Sequence, residues 1–211
     1  MTHVLVMAKS PVAGRVKTRL CPPCTPAEAA AIAEAALADT LDAVAACGAG
    51  RRIVALDGAP GPWLPPGFEV IPQVDGGFDQ RLAAAWSAAG GAGVQIGMDT
   101  PQVTPALLDR ALASLDGTSA ALGLAVDGGW WAIALRRPDP CVFTGIPMST
   151  AETGTAQHAR LLALGLSVTM LPALVDLDTV ADLPAVTASG TAIRTAAQAR
   201  RIGMLAEATA V

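Results

Sequence analysis

Short apolar runs alternate along this chain with longer segments that carry helix-start signals. The runs are rich in Val, Ile, Leu and Ala and have the length of buried strands. They predict seven strands, over Val4–Ala8, Arg52–Leu56, Glu69–Ile71, Val94–Gly97, Ala120–Leu124, Trp131–Leu135 and Val168–Leu171. Thr25-Pro26 and Thr104-Pro105 each pair a capping residue with proline at the first helical position, which predicts a helix start.

The predicted helices run from Pro26 to about Cys47, over Ala106–Leu115, over Ala181–Ala188 and over Thr191–Ala208. Short strands that alternate with helices indicate an α/β fold with a mostly parallel, Rossmann-like sheet and right-handed crossovers. A length of 211 residues suits one substantial core, so we expect a single domain over residues 1–211.

Three polar motifs follow predicted strands directly. A basic loop follows the first strand, Asp99 follows the Val94–Gly97 strand, and Asp127 follows the Ala120–Leu124 strand. Ligands of open α/β sheets bind outside the carboxyl ends of the strands. The three motifs are therefore expected at one edge of the sheet, as parts of one site.

The basic loop has the composition of a phosphate-binding loop. It concentrates Lys9, Arg15, Lys17 and Arg19 around Gly14, in a chain whose net charge is −4. Gly allows the backbone to approach a ligand closely, Arg offers a planar fork to phosphate oxygens, and Lys offers a point charge. The alternative is a solvated basic loop that caps a strand.

Composition narrows the class of protein. Hydrophobic residues make up 52% and charged residues 15% of the chain, which excludes a disordered protein. The negative net charge argues against a nucleic-acid partner. Acidic residues interrupt the Ala-rich stretch after Pro26, and the first apolar run is too short for a signal peptide. We expect a cytoplasmic protein without a membrane partner, either a monomer or a homodimer.

Five motifs resemble one family. They are Lys9-Ser-Pro-Val-Ala-Gly-Arg-Val-Lys-Thr-Arg-Leu20, Gln73-Val-Asp-Gly-Gly-Phe-Asp-Gln-Arg81-Leu82, Gly97-Met-Asp-Thr-Pro101, Asp127-Gly-Gly-Trp-Trp131 and Asp176-Leu-Asp-Thr-Val-Ala-Asp-Leu183. In order and spacing they resemble the GT-A-fold "transferase 1, radical-SAM/selenodomain-associated" family, often described as glycosyltransferases. That family is more distantly similar to 2-phospholactate guanylyltransferase and the molybdenum-cofactor guanylyltransferase. The resemblance implies a single GT-A-like, three-layer domain.

The resemblance also implies a divalent metal, Mg²⁺ or Mn²⁺, held by Asp99 and Asp178. Carboxylate oxygens are the ligands that these ions prefer, and phosphate and water complete their shells. Two alternatives remain open at this point. Asp99 could form an Asx turn or cap the helix after Thr104, and Asp178 or Thr179 could cap the helix that begins at Ala181.

By the same resemblance the acceptor would lie near Asp127, Gly128, Gly129 and Trp130. Asp-Gly and Gly-Gly are also hairpin-turn dipeptides, so a purely structural turn is a serious competitor. The family has Glu and Tyr where this chain has Val126 and Trp130, which suggests a different or more apolar second substrate.

The resemblance assigns the nucleotide to Lys9, Gly14, Arg15, Lys17, Thr18, Arg19, Gln73 and Arg81. Gln73 could bind a base or ribose edge, and Arg81 could reach phosphate or pair with Asp79. Lys17, Asp99 and Asp127 are the catalytic candidates. Cys21-Pro-Pro-Cys24 has redox or zinc spacing, but no second pair follows it, so free thiols are favoured.

The predicted activity is a metal-dependent nucleotidyltransferase that moves NMP from an NTP to a small phosphorylated acceptor. One alternative is a glycosyltransferase with a nucleotide-sugar donor, because the same cations and metal would stabilise a leaving diphosphate. The other is a nucleotide-binding module without catalysis. In each case the partners are a nucleotide and, for the enzymes, a small-molecule acceptor.

Overall fold

The computed structural model describes residues 1–206, and within them the chain forms one sheet of seven strands. The strands are β1 (His3–Lys9), β2 (Arg51–Asp57), β3 (Glu69–Pro72), β4 (Gly93–Ile96), β5 (Ala120–Ala125), β6 (Trp130–Leu135) and β7 (Val168–Leu174). Their order is β3-β2-β1-β4-β6-β5-β7. β6 runs antiparallel to β4 and β5, and the other four pairs are parallel. The predicted mostly parallel α/β sheet is confirmed.

Six α-helices connect and cover these strands within the described residues. They are α1 (Pro26–Ala46), α2 (Phe78–Ala89), α3 (Pro105–Ser114), α4 (Thr153–Ala163), α5 (Leu183–Thr187) and α6 (Ile193–Arg201). The prediction of a last helix over Thr191–Ala208 was too long, and its end at 207–208 lies outside the described residues. α6 stops because Gly203 takes a φ of +73° and the N–H of Met204 donates to the carbonyl of Ala199 at 2.8 Å.

The predicted helix starts are confirmed in atomic detail. The Thr25 hydroxyl accepts from the N–H of Glu28 at 3.3 Å, and the Glu28 carboxylate accepts from the N–H of Thr25 at 2.8 Å. This reciprocal pair satisfies two backbone donors that the first turn of α1 leaves free. The Thr104 hydroxyl caps α3 by accepting from the N–H of Leu107 at 3.2 Å.

Helices pack on both faces of the sheet and give three layers. Val4 and Val6 of β1 lie in a buried cluster with α1 and α3, whereas Leu5 and Met7 lie in a second cluster with α2 and α4. This division follows from the alternation of side chains along a strand. A third buried cluster joins α5 and α6 to α1. In residues 1–206 no helix combines the length and the apolar character that crossing a bilayer requires.

The carboxyl ends of β1, β4, β5 and β7 meet at one edge of the sheet. The basic loop leaves β1 there, Asp99 follows β4, and Asp127 follows β5. The segment after β7 is fixed to the same edge, because the N–H of Leu177 donates to the carbonyl of Asp99 at 2.7 Å. The three motifs therefore converge as the sequence predicted, and Asp176 and Asp178 join them.

Candidate functional site

Lys17 is the buried centre of the basic loop. Its backbone takes the left-handed conformation, with a φ of 50° and a ψ of 39°. This turns the side chain into the site, where it is 6% exposed and its Nζ lies 2.5 Å from Asp99 Oδ1. Nζ also lies 3.7 Å from Asp178 Oδ1 and donates to the carbonyl oxygen of Leu177. Lys17 therefore connects the end of β1 to the ends of β4 and β7.

The other three cations of the loop differ in their surroundings. Arg19 Nη2 donates to Asp178 Oδ2 at 2.8 Å, while 71% of the Arg19 side chain stays exposed. Arg15 is exposed and lines the same cleft. Lys9 Nζ lies 3.8 Å from Asp57 Oδ2, at the end of β2. Three of the four cations thus contact carboxylates already, and Lys9, Arg15 and Arg19 stay exposed at the cleft.

Three carboxylates collect opposite this loop. Asp99 is 46% exposed at its side chain and Asp178 is 24% exposed, and both contact Lys17. The pKa of Asp176 is raised from 3.8 to about 7 by burial first, and then by the negative charges of Asp99, Asp127 and Asp178. Asp176 is a site residue that we did not predict. The sequence feature that could have identified Asp176 is its spacing of two residues from Asp178, because alternate residues of an extended segment point to the same side.

The alternatives that make Asp99 and Asp178 structural caps do not match the geometry. Thr104 caps α3, and Thr179, the other expected cap, is the N-cap of the helical turn over Val180–Asp182, where Asp182 accepts from the N–H groups of Asp178 and Thr179 at 3.1 and 2.7 Å. The carboxylates of Asp99 and Asp178 face Lys17 instead. Both therefore have oxygen atoms turned toward the cleft.

The donor chemistry of these carboxylates fits a divalent cation. Mg²⁺ is commonly bound through one or two carboxylates together with substrate phosphates and water, and Asp99 and Asp178 are such a pair. Within residues 1–206, no group of three His, Cys, Asp or Glu side chains is arranged to hold a metal by itself. An ion at Asp99 and Asp178 would therefore complete its shell with phosphate and water oxygens.

Gln73 and Arg81 lie together beside the basic loop. Arg81 Nη1 donates to Gln73 Oε1 at 3.1 Å, and the Arg81 guanidinium carbon lies 5.1 Å from the centre of the Phe78 ring. The expected alternative for Arg81 was an ion pair with Asp79. Arg81 instead contacts the Gln73 amide oxygen and the Phe78 ring.

Residues 127–129 form the tight turn between β5 and β6. Asp127 Oδ1 accepts from the N–H of Gly129 at 2.8 Å, so the carboxylate shapes the turn as well as facing the cleft. The two Trp residues that follow point to opposite faces of the sheet, as expected for consecutive residues on a strand. Trp131 is buried and donates to the carbonyl of Pro172 at 2.9 Å, whereas Trp130 is half-buried and packs against Phe143.

Residues 148–153, which lead into α4, form a wall of the site that the sequence analysis missed. The N–H of Gly154 donates to the carbonyl of Gly128 at 2.7 Å, which fixes the start of α4 on the 127–129 turn. Gly128 has a φ of +95°, and a Cβ atom there would lie 2.1 Å from the carbonyl oxygen of Ala151. Glycine is required at this position both by the conformation and by the close approach.

These elements enclose one cleft with two lobes. The basic lobe, of about 310 Å³, is lined by most of the predicted nucleotide-binding residues, among them Lys9, Arg15, Lys17, Thr18, Arg19, Gln73 and Arg81. The aromatic lobe, of about 420 Å³, is lined by Asp127, Gly129, Trp130, Trp131, Asp176 and residues 148–151 and 153. Asp99 and Asp178 line both lobes and mark the boundary between them.

Two predicted site residues do not line either lobe. Gly14 has a φ of +76° and lies in the exposed part of the basic loop, where it allows the chain to turn. Gly128 packs against the backbone of Ala151 and so supports the wall formed by residues 148–153. Cys21 and Cys24 are free thiols at the end of the basic loop, the first half-buried and the second buried.

Comparison with known proteins agrees with this architecture. The chain matches the family described as "Uncharacterized protein conserved in bacteria (DUF2064)" over residues 31–150. It is 32% identical to a phosphoenolpyruvate guanylyltransferase of Thermomonospora curvata, an alignment that covers 96% of this chain and 90% of the relative.

Two solved structures share the fold. One, assigned as a nucleotide-diphospho-sugar transferase of Desulfovibrio desulfuricans, has a TM-score of 0.85 at 27% identity, with 95% of this chain and 94% of that chain covered. A nucleotidyl transferase of Methanothermobacter has a TM-score of 0.54 at 18% identity, with 82% and 87% covered. The GT-A-like fold class is thereby confirmed. The chain belongs to the DUF2064 family, and it is a nucleotidyltransferase-like transferase.

Proposed function

We propose that this protein transfers a guanylyl group from GTP to a small phosphorylated carboxylic acid and releases pyrophosphate. The observation that carries this proposal is the division of the cleft into a basic and an aromatic lobe that share Asp99 and Asp178. Such a cleft suits two substrates, one of them polyanionic, that meet at the shared carboxylates. Guanine is taken from the relative that is a phosphoenolpyruvate guanylyltransferase.

The basic lobe would hold the triphosphate of the donor. Arg15, Lys17 and Arg19 lie on its wall, and Arg81 faces them from α2. Cations that are already in place stabilise charge on the phosphate oxygens without reorganising during the reaction. Lys17 is the best placed of them for the reacting phosphate, because it is buried between Asp99 and Asp178.

Asp99 and Asp178 would hold Mg²⁺ or Mn²⁺, which when bound supplies charge neutralisation at the phosphate oxygens. The aromatic lobe would hold the acceptor, between the 127–129 turn and residues 148–153. Arg19 also lines this lobe, and its guanidinium supplies a positive charge that favours an anionic acceptor. Val126 is 69% exposed beside the turn, so no carboxylate at that position opposes an anion.

The reaction needs no covalent enzyme intermediate. An oxygen of the acceptor phosphate attacks the α-phosphorus of GTP and forms the new P–O bond. The bond from the α-phosphorus to the oxygen that bridges to the β-phosphate breaks, and pyrophosphate leaves with that electron pair. A phosphate oxygen at neutral pH is already ionised, so the attack requires positioning rather than a general base.

The test is product analysis with purified protein, GTP and Mg²⁺ or Mn²⁺. The acceptor panel contains phosphoenolpyruvate, 2-phospholactate and 3-phosphoglycerate, and the readouts are pyrophosphate release and a new diphosphate signal in the ³¹P NMR spectrum. We expect turnover with one acceptor and a loss of at least about 100-fold in Asp99→Asn, comparable to losing one preorganised charge in an active site. Asp116→Asn, an exposed carboxylate after α3, is the matched control and should keep full activity.

A second candidate is glycosyl transfer from a nucleotide sugar. It is favoured by the likeness to the Desulfovibrio protein that is assigned as a nucleotide-diphospho-sugar transferase. The same assay separates the two activities, because glycosyl transfer releases a nucleoside diphosphate and no pyrophosphate. Nucleotide binding without either product would identify a binding module instead.

A further inference from the structure

The side chain of Gln73 makes three hydrogen bonds across the sheet edge. It follows β3, and its Nε2 donates to the carbonyl oxygens of Ala8 in β1 and Ala55 in β2, at 2.9 Å each. Its Oε1 accepts from Arg81 at 3.1 Å. Both amide hydrogens are therefore used by the backbone of the sheet, and neither is available to a base or a ribose.

This arrangement fixes which end of the amide faces Arg81. Two carbonyl oxygens can be satisfied only by the NH₂ end, so the oxygen must point toward α2. The guanidinium then meets a neutral acceptor on one side and the Phe78 ring on the other. Its Nε is buried and has no hydrogen-bond partner within the described residues. The positive charge of Arg81 is thus held in place without being neutralised by a carboxylate.

We propose that Gln73 is a positioning residue that holds Arg81 in the basic lobe, and that Arg81 rather than Gln73 contacts the nucleotide phosphates. This inference rests on the proposed function only in requiring that the basic lobe binds a nucleoside triphosphate. It corrects our prediction that Gln73 itself contacts the base or ribose. It also explains why the position carries an amide, because a carboxylate would repel the two carbonyl oxygens and pair with Arg81.

The affinity of the protein for GTP with Mg²⁺, measured by calorimetry without acceptor, tests this inference. We expect Arg81→Ala to weaken binding at least tenfold, which is the effect of losing one charge-assisted hydrogen bond. Gln73→Leu should weaken binding about three- to tenfold and Gln73→Glu at least as much. In the Arg81→Ala background, Gln73→Leu should have no further effect on affinity, because the group that it positions is gone.

Gln95→Leu is the matched control, because Gln95 is a buried glutamine on the same face of the sheet as Gln73. Its Nε2 donates to the carbonyl of Leu82 in α2 at 3.4 Å, and Gln95 lines neither lobe. Whatever each Leu variant does to the thermal midpoint, only Gln73→Leu should change GTP affinity. Equal losses of affinity in both would reduce Gln73 to a fold-stabilising residue and overturn the inference.

Two further outcomes are decisive. If Gln73→Leu weakens GTP binding equally with and without Arg81, Gln73 contacts the nucleotide directly and the inference is wrong. If wild type binds neither GTP nor inorganic tripolyphosphate, Arg81 has no anion to hold and the inference also fails. Wild-type binding with the expected coupling, but without pyrophosphate release, would reject the proposed function and leave this inference standing.

Discussion

Replacing Asp176 with Asn removes the carboxylate whose pKa the site perturbs most clearly. Burial and the nearby carboxylates raise the pKa of Asp176 from 3.8 to about 7. The folded protein therefore binds more protons than the unfolded chain between these two values. Its free energy of unfolding falls as the pH rises from about 4 to 7, and the loss is complete above pH 7.

The size of the effect follows from the two pKa values. At about 1.4 kcal/mol for each pH unit, the full difference from 3.8 to about 7 corresponds to about 4 kcal/mol. At pH 5 only about 2 kcal/mol of this has been lost. Asp176→Asn should therefore be more stable than wild type by about 4 kcal/mol at pH 8 and about 2 kcal/mol at pH 5.

The assay is urea unfolding followed by tryptophan fluorescence, at pH 5 and pH 8, in EDTA so that no divalent ion reaches the site. The comparison is between variant and wild type at each pH, because other groups such as His3 also titrate in this range. Asp116→Asn is the control, since that carboxylate is exposed and its loss should change stability by less than about 0.5 kcal/mol. A gain in Asp176→Asn that is the same at both pH values would refute the reasoning.

Three further predictions concern the fold around the site. Burial and Arg51 lower the pKa of His3 to about 4, so His3 alone contributes about 2 kcal/mol of stability gained from pH 5 to pH 7, opposite in sign to the Asp176 contribution. In urea unfolding, the stability of His3→Leu relative to wild type should therefore fall by about 2 kcal/mol between pH 5 and pH 7. The Asp39 carboxylate accepts from the first N–H groups of α6 and from the Thr195 hydroxyl at 2.8 to 3.0 Å, so Asp39→Ala should lose about 2–3 kcal/mol in the same assay. Gly128→Ala should lower the free energy of unfolding by about 2–4 kcal/mol and raise the KM for the acceptor, because Gly128 has a positive φ and an added Cβ would meet the Ala151 carbonyl. Gly117→Ala is the control, since an added Cβ there meets open space and should change stability little.

Local sequence signals were sufficient for most of the fold. The apolar runs gave all seven strands, although β7 extends three residues beyond its predicted end. The Thr-Pro pairs gave the starts of α1 and α3, because a cap and a proline act within one turn of the helix. The rule that ligands bind at carboxyl strand ends then placed Lys17, Asp99 and Asp127 together.

The wall of the aromatic lobe could not be predicted in the same way. Residues 148–153 reach the site only because α4 packs on a turn more than twenty residues earlier in the chain, through the Gly154 to Gly128 hydrogen bond. Nothing in the local composition of the segment indicates that partner. The Gly pair at 128 and 129 was a signal of close approach, but a hairpin turn explained it equally well.

Gln73 illustrates a second limit. Its role depends on the spatial order of β3, β2 and β1, which places the carbonyls of Ala8 and Ala55 beside a residue that follows β3. The residue type can be read from the sequence, but these neighbouring carbonyls cannot. A polar residue at the carboxyl end of a strand is therefore predicted to bind the ligand. Only the three-dimensional contacts separate a ligand-binding amide from one that holds an arginine.

The charged groups at the centre of the cleft, Lys17, Arg19, Asp99 and Asp178, pair with one another before any substrate is present. Lys17 and Arg19 contact Asp99 and Asp178, so neither the cations nor these carboxylates stand alone in the partly buried site. A triphosphate that arrives with a divalent ion brings charges of both signs, and it can exchange these ion pairs for new ones without leaving an uncompensated charge. An anion that bound alone would leave Asp99 and Asp178 without their cations, and a cation that bound alone would leave Lys17 and Arg19 without their carboxylates. Under the proposed function, these ion pairs favour binding of the nucleotide and the metal as one complex.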